Sequence, residues 1–152
     1  MAYVSDLFIA TEHRKPMMSV DEANAIADRG FAGCIHARPG GKRQVLLLDR
    51  ETLAQLNLAP GILRENITTV GVNTGALGQG QQITIGEALL EVTIPCEPCY
   101  RMEEIRMGLQ EALKDKRGAL CRVVRGGRIS RGDKIDLVAD AATTSTLGGR
   151  FD

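Results

Sequence analysis

The sequence predicts a mainly β domain with a few short peripheral helices, first because apolar and polar residues alternate in its second half. Apolar residues recur at every second position over residues 83–85 and again over residues 88–94, with Gly86 and Glu87 between them. This spacing is typical of a two-stranded hairpin. Residues 129–137 resemble residues 83–91 and predict a second hairpin. Two similar hairpins favour a sheet that closes into a β-barrel, because closure leaves no exposed edge.

The first half supplies further strands and a capped helix. Residues 4–10 predict a strand, and the continuous apolar run from Val45 to Leu48 predicts another. Asp49 directly follows that run and predicts the N-cap of a helix that carries Leu53 and ends before Pro60.

Two other segments are predicted to be helical. Ser19 and Glu22 have the spacing of a capping box, and Gly30 is placed to end a short helix after them. Between the two predicted hairpins, apolar residues recur at helical spacing from Met102 to Leu113, which predicts one longer helix.

The length of 152 residues suits one core, which we assign to residues 1–138. Residues 139–152 are rich in alanine, threonine and glycine, offer little to bury, and are expected to form a disordered C-terminal tail.

Composition excludes several classes of function. The chain has 19 basic and 19 acidic residues, and aromatic residues make up only 3% of it. A balanced charge and few stacking side chains argue against nucleic-acid binding. No export signal and no apolar run of membrane-spanning length is visible, so we expect a cytoplasmic protein without membrane contact. In that compartment the four cysteines are expected to be free, catalytic or metal-bound.

Two of these cysteines, Cys96 and Cys99, lie at a proline-rich corner where a strand is predicted to end and a helix to begin. A helix N-terminus favours a thiolate, and Arg101 adds positive charge nearby. Three other interpretations stay open: two small buried side chains, a redox dithiol, or a zinc site completed by Cys34 and His36.

Read in order, several segments resemble the MOSC family, the module found at the C-terminus of molybdenum-cofactor sulfurases. The resemblance covers roughly residues 3–138 and is carried by residues 30–37, 42–48, 60–69, 80, 85–88, 96–99 and 126–133. It implies a MOSC-type β-barrel that presents one reactive cysteine, Cys99, to molybdenum cofactor or to transferable sulfur. Cys99 is therefore the predicted catalytic residue and molybdenum ligand. Cys96, which also occurs in part of the family, is a second candidate ligand.

The resemblance also implies residues that would hold the pterin and phosphate of the cofactor, namely His36, Arg43, Arg64 and Asn66. Each has an ordinary structural alternative, such as a surface ion pair or a turn. Cys34 departs from the family pattern, because many members have an acidic residue there. A contact that depends on that carboxylate is absent from this chain.

Two classes of function follow from the resemblance. The first is a protein that binds molybdenum cofactor, or carries sulfur on Cys99, and works with a cysteine desulfurase or a molybdoenzyme as partner. The second is a molybdenum-cofactor-dependent reductase of small N-hydroxylated compounds, which would need a separate electron donor. The sequence leaves open whether the protein is an enzyme.

Overall fold

The computed structural model describes residues 1–138, and these form eleven strands with three short α-helices. The predicted tail, residues 139–152, lies outside the described residues. The strands are β1 (Tyr3–Ile9), β2 (Met18–Val20), β3 (Glu22–Ile26), β4 (Gly30–Phe31), β5 (Val45–Asp49), β6 (Ile67–Val70), β7 (Gln82–Ile85), β8 (Ala88–Pro95), β9 (Ala119–Arg125), β10 (Gly127–Ser130) and β11 (Ile135–Val138). The helices are α1 (Arg50–Gln55), α2 (Met102–Ile105) and α3 (Leu109–Ala112), with one 3-10 turn at Thr74–Ala76.

Eight strands form one sheet in the order β11-β7-β8-β9-β5-β6-β1-β2, and β10-β3-β4 form a second. All pairs are antiparallel except β5 with β6. The mainly β prediction is confirmed. The closed barrel is not confirmed, because β11 and β2 remain the edges of the large sheet. One isolated bridge, Tyr3 with Lys134, brings β1 close to the start of β11.

The predicted helix after Ser19 is wrong, because this segment forms β2 and β3. β2 pairs with β1, and β3 pairs with β10 and β4. Ala23 and Ala25 of β3 are buried while the residues between and beside them are exposed, a period of two. Strand partners distant in sequence have therefore overridden the local capping signal.

The first predicted hairpin is confirmed as β7 and β8. The second is wrong as a pairing, although both of its strands exist. β10 joins the small sheet, whereas β11 pairs with β7, so the two strands flank a turn without pairing to each other. The Asp133 carboxylate accepts a hydrogen bond from the Ser130 backbone N–H across that turn, at 2.7 Å.

Strand β5 has both faces buried and divides the molecule into two cores. Val45 and Leu47 belong to the main core inside the sheets. Leu48 faces a second core beneath the helices, formed with Leu53, Leu63, Met102, Leu109 and Leu113. The predicted cap of α1 is confirmed, since the Asp49 carboxylate accepts from the Thr52 N–H at 2.9 Å. The second core anchors the loop and the helix that surround Cys99.

The one longer helix predicted after Met102 is two single-turn helices. Arg106 has an extended backbone, and Gly108, with φ of 85°, has a left-handed one, so the chain turns between α2 and α3. Among the described residues, no helix has the length and apolar character needed to cross a membrane.

Candidate functional site

Cys99 is exposed in the short loop that joins β8 to α2. Its carbonyl accepts a hydrogen bond from the Met102 N–H at 2.9 Å, which begins the first turn of α2. The strand-to-helix corner predicted for the two cysteines therefore exists, but the helix is one turn long and carries Glu103 and Glu104 in that turn.

Cys99 lines a cavity of about 680 Å³. Its walls come from three segments: residues 14–17 after β1, residues 59–64 before β6, and α2 with the residues just before it. The apolar part includes Ile62, Leu63 and Met102. The charged lining is cationic apart from Glu104, and consists of Arg14, Lys15, Arg64, Arg101 and Arg117. Among residues 1–138 none of these five cations forms an ion pair.

Arg117 is the least exposed of these cations, with 7% of its surface accessible. One terminal nitrogen, Nη2, donates to the Leu63 carbonyl at 2.6 Å. The other, Nη1, is buried and has no hydrogen-bond partner among the described residues. A buried guanidinium nitrogen without an acceptor is costly, so this group is suited to an anion. Sequence reasoning did not identify Arg117, because it lies in a run of charged residues, 114–117, that reads as an exposed turn.

Gly118, the residue after Arg117, lies where the backbone leaves no room for a side chain. Gly118 has φ of +105°, and a side chain there would collide with the carbonyl oxygen of Leu47. The Gly118 carbonyl accepts from the Cys96 N–H at 3.0 Å. This bond ties the segment just before β9, which carries Arg117, to the corner that carries the cysteines.

A buried carboxyl, Glu65, shapes the loop that forms the opposite wall. Its Oε2 accepts from the Gly61 N–H and from the Thr68 hydroxyl, both at 2.8 Å, while Oε1 has no partner among the described residues. Burial raises the pKa of Glu65, and these hydrogen bonds and the nearby Arg117 charge oppose that effect. The loop ends at Arg64, whose φ of 67° is uncommon for a non-glycine residue.

Arg64 is the one predicted phosphate-binding residue that shares the cavity with Cys99. Its Nη1 donates to the Lys15 carbonyl at 2.6 Å, which joins two walls of the cavity. His36 and Arg43 line a different cavity, of about 450 Å³, together with His13, Ile35, Arg38, Gly41, Lys42 and Ile94. The structure therefore divides the predicted cofactor residues between two places.

Asn66, the fourth predicted cofactor residue, is 1% exposed and lines neither cavity. Its Oδ1 accepts from the Leu46 N–H at 2.9 Å, and its Nδ2 donates to the Phe8 carbonyl at 3.2 Å. Nδ2 also lies 3.5 Å from Cys34 Sγ. These contacts join β5 to β1, so a direct role in cofactor binding stays a prediction that this geometry does not support.

Cys34, at the position where the family resemblance led us to expect a carboxylate, is a buried hydrogen-bond acceptor. Its sulfur lies 3.5 Å from both the Ala10 backbone nitrogen and Asn66 Nδ2. Burial raises the pKa of the Cys34 thiol, but hydrogen bonds from His36 and Ala10 and the His36 charge outweigh burial and bring it to about 7. The Cys34 sulfur is therefore the acceptor for two N–H donors at this position.

Cys96 and Cys121 differ from this pattern. Cys96 is partly buried, which raises its pKa, with the charges of Arg117 and Arg43 acting in the opposite direction. Cys121 is fully buried, which raises its pKa strongly.

All four cysteines are free, and residues 1–138 contain no group of three or more His, Cys, Asp or Glu side chains able to hold a metal. The zinc site suggested for Cys34, His36, Cys96 and Cys99 is not formed there.

Comparison with known proteins supports the resemblance seen in the sequence. The sequence profile of the MOSC domain matches residues 35–136. YuaD from Bacillus subtilis is 20% identical with a TM-score of 0.77, covering 88% of this chain and 93% of that one. YiiM from Geobacillus stearothermophilus is 18% identical with a TM-score of 0.74, covering 93% and 77%. YiiM from Escherichia coli is 25% identical with a TM-score of 0.69, covering 92% and 71%. No curated protein sequence matches the chain.

Proposed function

Because the chain belongs to the MOSC domain family, we propose that it binds molybdenum cofactor in the Cys99 cavity, with the Cys99 sulfur as a ligand of the metal. The observation that carries this proposal is the unpartnered, buried Nη1 of Arg117 in the same cavity as Cys99. One cavity thus offers a soft sulfur donor and an anion-binding guanidinium, which match the metal and the phosphate of the cofactor.

The remaining lining fits the same ligand. Arg64 and Lys15 are joined by a hydrogen bond and offer positive charge on the wall opposite α2. Ile62, Leu63 and Met102 supply an apolar surface on which the pterin ring system would pack. When bound, the cofactor supplies a redox-active molybdenum centre. The chain itself contributes the thiolate, the phosphate contacts and the apolar wall.

The exposure of Cys99 favours a second candidate function, that of a sulfur carrier. In this role the Cys99 thiolate attacks the terminal sulfur of a persulfide on a partner such as a cysteine desulfurase. The sulfur–sulfur bond of the donor breaks, the donor cysteine leaves as a thiolate, and Cys99 becomes the persulfide. No external oxidant or reductant is needed, because the sulfane sulfur moves with its oxidation state unchanged.

The test is the replacement of Cys99 by Ser, with Cys96 to Ser as the matched control. Serine keeps the size of the side chain but removes the soft sulfur. In protein from a molybdenum-replete host, we expect the wild type and Cys96→Ser to retain molybdenum, measured by elemental analysis with cofactor fluorescence, and Cys99→Ser to lose it. Thermal unfolding of all three proteins should be alike, because Cys99 is exposed.

Equal loss of molybdenum in both variants would contradict the assignment and favour a paired-cysteine site. For the carrier function, incubation with a desulfurase and cysteine should add one sulfur atom to the tryptic peptide at Cys99, seen by mass spectrometry, and none at Cys96. The reductase alternative stays a prediction and requires turnover of an N-hydroxylated compound by the loaded protein with an added electron donor.

A further inference from the structure

The Cys99 cavity combines an exposed thiol with a buried guanidinium. Cys99 is exposed, whereas Arg117 is 7% exposed, and both line this cavity. Nη2 of Arg117 donates to the Leu63 carbonyl at 2.6 Å, which fixes the orientation of the guanidinium, while the buried Nη1 has no partner among the described residues. A hydrogen-bond donor is therefore held in place beside a nucleophile.

The thiol and the guanidinium are connected through Cys96. Its N–H donates at 3.0 Å to the carbonyl of Gly118, the residue after Arg117, and the chain from Cys96 to Cys99 spans at most about 11 Å. Burial raises the pKa of Cys96, the Arg117 charge opposes burial, and the Cys99 charge adds to it, so Cys96 lies near both groups. A ligand in the cavity can therefore contact the Cys99 sulfur and the guanidinium together.

The remaining lining suits an anion that has an apolar part. Glu104 is the one acid among the described lining residues, which include four further cations and an apolar wall of Ile62, Leu63 and Met102. Among residues 1–138 none of these cations forms an ion pair. Unpaired cations and a buried donor favour an oxyanion, and the apolar wall favours an organic substituent on it.

We propose that this cavity is a sulfurtransferase site for thiosulfonates, small anions in which a sulfonyl group carries a terminal sulfane sulfur, with Cys99 accepting that sulfur and Arg117 binding the oxyanion that leaves. Thiosulfate is the inorganic member of this class. The inference rests on the sulfur-carrier function proposed above and names its substrate class. A thiosulfonate differs from a protein persulfide because its leaving group is an oxyanion, the group that a guanidinium binds best.

The transfer is a single displacement. The Cys99 thiolate attacks the terminal sulfur of the thiosulfonate and forms a new sulfur–sulfur bond. The sulfur–sulfur bond of the donor breaks, and its electron pair leaves with a sulfinate, or with sulfite when the donor is thiosulfate. Cys99 is left as a persulfide anion, so atoms and charge balance and no other oxidant or reductant is needed. Arg117 Nη1 stabilises the negative charge that develops on the leaving oxygens.

The first test follows one turnover of the full chain, purified from a host that makes no molybdenum cofactor so that Cys99 carries no metal. With thiosulfate or benzenethiosulfonate, the wild type should gain one sulfur atom on the Cys99 peptide, seen by mass spectrometry, and release one sulfite or benzenesulfinate. Cys99→Ser should do neither. Cys96→Ser is the matched control and should do both.

The role of Arg117 is tested by Arg117→Lys, which keeps the charge but removes the Nη1 donor. The rate of sulfur transfer from benzenethiosulfonate to cyanide, measured as thiocyanate, should fall at least about tenfold. Transfer from 2-hydroxyethyl persulfide should change little, because its leaving group is a thiolate. Arg125→Ala is the control for both donors, since Arg125 is exposed and does not line the cavity. Thermal unfolding checks that Arg117→Lys is folded.

A second measurement needs no variant at Arg117. Benzenesulfonate has the shape and charge of the donor but no transferable sulfur, so it should inhibit the wild type competitively against benzenethiosulfonate. Methyl phenyl sulfone has a similar shape without the charge and should inhibit at least about tenfold more weakly, because it lacks the charge-assisted hydrogen bonds to the guanidinium.

The proposal is wrong if neither thiosulfonate adds sulfur to Cys99, if a folded Arg117→Lys loses rate equally with both donors, or if the sulfone inhibits as well as the sulfonate. Failure of the carrier function has a different signature. If a desulfurase loads Cys99 and thiosulfonates do not, the carrier function stands and this substrate class is rejected. If thiosulfonates load Cys99 and a desulfurase does not, the substrate class stands and supply by a desulfurase is rejected.

Discussion

Cys34 is the residue whose environment departs most from what its type suggests. A buried cysteine is usually a small apolar side chain. Here the Ala10 N–H and the Asn66 amide both converge on its sulfur, and His36 adds a further hydrogen bond and charge. The site is therefore built for a negatively charged acceptor, which a carboxylate or a thiolate satisfies.

Replacing Cys34 by Ala should lower the free energy of unfolding by about 1–3 kcal/mol, because the Ala10 N–H loses its acceptor in a buried place. Cys34→Asp should lose less, since a carboxylate restores an acceptor for the same donors. Chemical denaturation at neutral pH measures both. If Cys34→Asp lowers the free energy of unfolding more than Cys34→Ala does, the Ala10 and Asn66 N–H groups are not arranged for an anion.

The same thiol predicts a pH dependence. Its pKa is about 7 in the folded protein against an ordinary value of 9.0, so the folded state holds the proton less tightly than the unfolded state. The resulting stabilisation is complete above pH 9 and is lost as the pH falls through 7. The stability difference between the wild type and Cys34→Ser, which does not titrate here, should therefore grow from pH 7 to pH 9. A flat difference in urea denaturation over this range would contradict the ionised thiol.

At the scale of elements, the break between α2 and α3 determines how these two short helices pack on the second core. Glu103 of α2 accepts from the Gly108 and Gln110 N–H groups at 2.8 and 2.9 Å, so its carboxylate satisfies the start of α3. These two hydrogen bonds lower the pKa of Glu103. The sharp turn lets Met102, Leu109 and Leu113 all reach the second core.

Glu103→Ala should speed hydrogen exchange at the Gly108 and Gln110 amides. The matched variant Glu104→Ala should not, because among the described residues both amides donate to Glu103 and neither donates to Glu104. Because the pKa of Glu103 is lowered, this protection should be present at neutral pH and disappear in acid, below the ordinary value of 4.5. Exchange followed by NMR measures it. Equal effects of both variants would mean that the turn is held by packing alone.

At the scale of the whole molecule, the formal net charge is zero, yet basic residues are concentrated around two cavities. The two cavities together are lined by eight arginine and lysine side chains and one acid, Glu104. The basic lining of these cavities therefore does not follow from overall composition, which is balanced. It arises because segments distant in sequence bring basic side chains together around the two cavities.

Both cores of the described structure are formed by residues from Val4 to Ile135. Deleting residues 139–152 should therefore shift the melting temperature by no more than about 2 °C, since little buried apolar surface would be lost. Differential scanning calorimetry of the truncated and full chains is the measurement. A fall of many degrees would show that the last residues contribute to a core.

The sequence by itself determined the features that depend on neighbouring residues. The apolar run of β5, the Asp49 cap, the β7–β8 hairpin and the cysteine corner are all local patterns, and each was predicted correctly. The family resemblance was also readable, because its motifs lie in order along the chain.

Only the tertiary structure decided what depends on distant partners. Ser19 and Glu22 carry a helix signal, yet pairing with β1 and β10 makes their segments strands, because a ladder of hydrogen bonds outweighs a single cap. Arg117 lines the Cys99 cavity with residues from loops far away in sequence, and the adjacent Gly118 packs against the Leu47 carbonyl across about seventy residues. His36 and Arg43, predicted with Cys99 to bind the cofactor, line a different cavity from Cys99, since sequence order carries no distances between loops.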